Sequence, residues 1–199
     1  MVERRQTQRL IYVLLFLGLA ALVTFYRLLP LGGYGLGHGA TSAEELDVTN
    51  GYAGLTSLPM PDILLCLCLA WMVRRPDLLP APVIAGYFLL EDILLLRPPG
   101  LWALIVLAGT EFLRSRRAQL RGYGFGLEYL LIIGLLLVMF LFNRFVLAIV
   151  MAPQAPLGLS LMYLLGTVLA YPLVVAVSHF VFGLRKPATG EVDSLGQKY

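Results

Sequence analysis

Long apolar runs, broken by short clusters of arginine, proline and glycine, dominate the chain. Six stretches stand out, over residues 10–29, 61–73, 78–96, 99–113, 125–150 and 157–184. Within them apolar residues are continuous and do not alternate with polar ones. That favours helices over the strands of a membrane barrel. A bilayer core needs about 20 helical residues. By that measure the second and fourth stretches are short and the fifth is long. The pattern predicts an all-α integral membrane protein. A single six-helix transmembrane domain is expected over residues 1–186, with a polar, disordered tail over 187–199.

Composition agrees with this pattern. Hydrophobic residues make up 59% of the chain and charged residues 14%, against about 25% charged in soluble domains. A soluble fold of this length has no room to hide so much apolar surface, so lipid must act as its solvent. The net charge of +3 gives no reason to expect a nucleic-acid partner. Cys66 and Cys68 are two apart in an apolar run and would not face each other on a helix. They read as small buried hydrophobes, and their spacing suggests no metal site. No cofactor is expected. The first apolar run is too long for a secretory signal, and Arg27 stands where a small cleavage residue belongs. It reads as a span that is retained.

The distribution of charge orients the chain. With the N-terminus in the cytoplasm, twelve Lys and Arg residues fall inside and only Arg27, Arg97 and Arg144 outside. This is a positive-inside signature, and it places both termini in the cytoplasm. One substantial external loop, about residues 30–60, contains Gly32, Gly33, Gly35, Gly37 and Gly39. Its spacing is not that of a phosphate-binding loop, so it reads as a flexible connection. Glu44, Glu45 and Asp47 in it are expected to pack over the helix ends.

Ionisable residues inside a span cost about 2.5–3.5 kcal/mol each and need partners. Asp62, Glu91, Asp92, Arg97 and Arg144 are all expected in the outer third of the bundle. Arg97 is expected to pair with an acid, Asp62 or Asp92. Glu111 lies at the inner end, placed to pair locally or to cross to Arg74 or Arg75. Glu128 and His179 also lie within spans, and His179 reads as an interhelical hydrogen bonder. The second and fourth spans each start with proline, at Pro61 and at Pro98 and Pro99. Each then runs only about 20–22 Å to an arginine cluster. An outer polar indentation follows from that, either a binding groove or an ion-pair cluster that orients helices. Catalysis finds little support: Ser160 and Ser178 have no evident His or Asp partners, and Glu91 and Asp92 point to different helix faces.

Certain stretches resemble a known family. Pro59-Met60-Pro61-Asp62, then Ala70-Trp71 and Arg74-Arg75-Pro76, are similar to the rod shape-determining protein MreD of alphaproteobacteria. So are Asp92, Arg97-Pro98-Pro99-Gly100-Leu101-Trp102 and Gly109-Thr110-Glu111-Phe112-Leu113-Arg114. The residue-level match is concentrated between Pro59 and Arg117. The resemblance implies a non-enzymatic scaffold in the bacterial inner membrane, serving peptidoglycan synthesis and cell shape. It implies MreC as partner, with RodA and a class B penicillin-binding transpeptidase in the same complex. The implied fold is similar to the substrate-binding component of energy-coupling vitamin transporters. The six-span count and the outer polar groove motivate an alternative expectation, a substrate-binding transporter subunit. Against it, the first span has Ala20-Ala21 in place of the AxxxA contact pattern of those subunits.

Overall fold

The structure, a computed structural model, describes residues 2–28, 60–152 and 154–182. The tail over 187–199 and nearly all of the external loop lie outside the described residues. Those described form seven helices and no strand. These are α1 (Val2–Leu28), α2 (Ile63–Arg74), α3 (Ala81–Leu94), α4 (Leu101–Ser115), α5 (Arg117–Gly122), α6 (Phe125–Ile149) and α7 (Leu157–Phe182). Each of the six apolar stretches holds one helix, and α5 is a short turn between the fourth and fifth.

Three of these helices are long and apolar enough to cross a membrane, over Leu10–Leu28, Phe125–Ile149 and Leu157–Phe180. The others are cut short by local chemistry. Asp62 caps α2, its carboxylate accepting from the Leu65 amide at 3.0 Å. Arg75 leaves helical geometry at the far end, where Pro76 disfavours a further helical residue. The third stretch was expected over 78–96 but is helical for only 14 residues. Pro80 sits at its N-cap, and Leu96 ends it with φ +53° ahead of Pro98 and Pro99. Gly100, with φ +88°, then turns the chain into α4, a conformation that glycine adopts without Cβ strain.

The long helices show lipid-facing sides: Leu14 is 62% exposed, Phe145 62% and Leu169 70%. Short α2 is the opposite, with every residue from Leu64 to Arg74 buried. Trp71 on α2 is packed by Phe16 at 5.8 Å and edge-on by Tyr12 at 6.3 Å, both from α1. The thiols of Cys66 and Cys68 are free and buried in the same helix.

Contacts at the helix ends fix their directions. Arg27 near the end of α1 meets Asp62 before α2. Arg114 in the last turn of α4 reaches the carbonyl of Leu79 ahead of α3. Arg74 ending α2 meets Glu128 in the first turn of α6. Tyr163 near the start of α7 returns to Asp62. The six principal helices therefore alternate in direction along the chain. The bundle has an Asp62 end and an Arg74 end, about 18 Å apart along α2.

Candidate functional site

At the Asp62 end, one guanidinium holds two carboxylates. Arg27 Nη2 lies 3.3 Å from Asp62 Oδ1, and Arg27 Nη1 donates to Glu91 Oε1 at 2.6 Å. Both carboxylates are fully buried and Arg27 nearly so. The Asp62 side chain accepts a second hydrogen bond, from the Tyr163 hydroxyl at 2.7 Å. Its backbone amide donates to Thr167 Oγ1 at 3.0 Å. Thr24 and Tyr87 share a buried hydrogen bond of 2.8 Å one turn below Arg27. Helices α1, α2, α3 and α7 thus converge on one charged knot.

The residues singled out from the sequence divide among several tasks. Asp62 and Glu91 belong to the knot. Asp92 does not: its Oδ2 accepts from the amides of Gly100 and Ala103, at 3.1 and 3.2 Å. It caps the start of α4 from the preceding helix and so fixes the α3–α4 hairpin. Arg144 donates to Ser160 Oγ at 2.7 Å and to the Ala155 carbonyl at 3.2 Å, tying the α6–α7 turn with no carboxylate partner among the described residues.

Arg97 corrects the expectation. Among the described residues it forms no ion pair within 4.0 Å, and its buried Nε has no hydrogen-bond partner. It stays close enough to act on Asp62, Glu91 and Asp92 through space. The place expected for it belongs to Arg27. Arg27 reaches the acids from the end of α1, whereas Arg97 lies beyond the left-handed break at Leu96. At that end Asp62, Glu91 and Asp92 are all buried.

The Arg74 end carries a second buried network. Arg74 Nη1 lies 3.1 Å from Glu128 Oε1, and the Tyr171 hydroxyl donates to the same oxygen at 2.9 Å. Arg74 also bonds the Ala70 carbonyl at 3.3 Å, one turn back in its own helix. This pair joins α2, α6 and α7. Glu111 takes the local option and pairs with Arg114, three residues on, at an exposed position. His179 stands edge-on to Phe180 and makes no hydrogen bond to another described residue. Ser160 serves Arg144, and Ser178 Oγ is buried without a hydrogen-bond partner among the described residues.

One open groove is formed between α4 and α6. Its volume is about 770 Å³ and its lining is apolar. Gly109 lets the two helices approach: a Cβ there would stand 3.0 Å from Met139 Sδ.

Among the described residues no cluster of three or more His, Cys, Asp or Glu side chains is placed to hold a metal ion. Comparison with protein families, with curated proteins and with solved structures gives no match.

Proposed function

We propose that this chain is a non-catalytic membrane holder of the bacterial cell-elongation machinery, of the MreD kind. It crosses the inner membrane six times with both termini in the cytoplasm, and it binds the transmembrane helix of MreC. Through MreC it supports the RodA and transpeptidase pair that builds peptidoglycan. The resemblance between Pro59 and Arg117 carries this reading. The alternating helix directions support the six crossings. Short α2 is compatible with them because it is wrapped by protein and not by lipid.

The knot at Arg27 favours a holder over a solute-binding subunit. At the end where an external solute would enter, the carboxylates of Asp62 and Glu91 are buried and joined to Arg27. Groups committed to each other hold helices in register. They are poorly disposed to receive a ligand.

Co-expression tests the proposal. The chain carrying an affinity tag is produced beside MreC and purified in mild detergent. MreC is expected to co-elute, and to be lost when its transmembrane helix is exchanged for an unrelated one. If MreC is absent from the eluate while the chain is folded, the holder reading fails. Saturable binding of a small solute in its place would turn the assignment to the transporter subunit.

A further inference from the structure

The apolar groove between α4 and α6 ends at an arginine with no acidic partner within 4.0 Å among the described residues. Phe112 lines the groove at the Arg74 end. The guanidinium of Arg116 lies over the Phe112 ring, 4.8 Å from its centroid. Nearby arginines are engaged. Arg114 is held by Glu111 and the Leu79 carbonyl, and Arg117 faces Asp77 at 3.8 Å. Arg116 is exposed, and among the described residues it has no acidic partner within 4.0 Å.

The groove runs along α4 from Leu104 to Phe112, about 12 Å of helix. Its volume of about 770 Å³ falls among those of small-molecule sites. Its walls offer nothing polar, so they suit hydrocarbon alone. Gly134 in the α6 wall has nothing within 4 Å of where a Cβ would stand, so that stretch of the groove is open space. At its mouth the cation rests on an aromatic face, an arrangement that leaves the guanidinium edges free for an oxyanion. Hydrocarbon along one wall and a single positive charge at its end describe an anionic amphiphile.

We propose that this groove is a binding site for one anionic glycerophospholipid. An acyl chain lies between α4 and α6, and the phosphate is held by Arg116 above Phe112. The site is separate from the charged knot and does not rest on the holder reading. The phosphate would gain a charge-assisted contact at the level where exposed Tyr123 and Phe125 suit the membrane interface.

Native mass spectrometry of the full chain in neutral detergent provides the test, with phosphatidylglycerol and phosphatidylcholine of identical chains as probes. One phosphatidylglycerol should be retained in preference to phosphatidylcholine. Arg116→Ala should lower its occupancy about tenfold, the order of one lost charge-assisted contact, and Arg116→Lys should restore most of it. Gly134→Phe, which fills open space, should remove both lipids while the thermal midpoint stays in place. Equal retention of the two lipids would overturn the proposal, as would wild-type occupancy in Arg116→Ala. A folded Gly134→Phe protein that keeps its lipid would do so too. Dimers that Gly134→Phe dissociates, with lipid retention unchanged, would assign the groove to a second copy of the chain and equally overturn it.

Discussion

The two ends of α2 solve one problem in different ways. Each must bury charge in a helix whose residues from Leu64 to Arg74 are all buried. At the Arg74 end one cation meets one anion, and a tyrosine hydroxyl donates to the same carboxylate oxygen. At the Asp62 end one cation serves two anions from two helices. There Glu91 and Asp92 each keep one buried carboxylate oxygen without a hydrogen-bond partner among the described residues. The first arrangement pairs one cation with one anion. The second depends on a single guanidinium, so its helices stand or fall together. A balanced pair fixes the register of two or three elements. A shared cation makes α1, which buries few other side chains from Leu10 onward, part of the bundle.

The largest effect should come from removing the shared cation. Arg27→Met leaves two buried carboxylates facing each other, and breaking a buried pair costs about 3–5 kcal/mol. Thermal unfolding in detergent should show a lower midpoint for it than for any other single substitution at either end of α2. Neutralising the acids in the same chain, with Asp62→Asn and Glu91→Gln, should recover much of the loss. If Arg27→Met melts within a degree or two of the parent, the knot is not what attaches α1.

The Arg74 end should behave differently under paired substitution. Arg74→Met alone or Glu128→Leu alone strands one buried charge, again at a cost of about 3 kcal/mol. The double variant removes both charges and fills the space with carbon. Such replacements are often neutral or stabilising. The double variant should therefore melt near the parent temperature, well above either single one. The equivalent exchange of Arg27 and Glu91 should not recover, because Asp62 remains. A recovery there equal to that at Arg74 would erase the distinction between the two ends.

Much of this architecture is written in local patterns. Continuous apolar runs place the helices, and prolines set where α2 and α3 start and stop and where α4 starts. Glu111 and Arg114 are three residues apart, so their pairing is local helix geometry. The choice of Arg27 over Arg97 and Arg144 is different. All three lie at one end. Which one pairs depends on where α1 docks against α2 and α3, a long-range fact with no spacing to reveal it. Arg74 was hidden for another reason. Beside Arg75 it reads as part of a solvated basic cluster, and only the first turn of α6 brings Glu128 to it. A lone acid in the apolar first half of α6 was the available signal. The amide bonds of Asp92 were hidden too, since the tight turn at Gly100 folds the α4 start back onto α3.

Arg97 supplies the smallest and most discriminating effect. It belongs to the charged end yet touches none of the acids within 4.0 Å. Its influence on Asp62 and Glu91 acts through space and is shared with water, because the residue is only partly buried. Interactions of that kind contribute about 0–1 kcal/mol. Arg97→Ala should therefore lower the thermal midpoint by no more than a few degrees, against a large drop for Arg27→Met, although both remove one positive charge from the same end. Equal losses would mean that net charge, and not the contacts of one guanidinium, holds that end together. Unequal losses would locate the stability in the geometry: two ion pairs from Arg27 to carboxylates on two elements, one of them hydrogen-bonded, and none within 4.0 Å from Arg97 among the described residues.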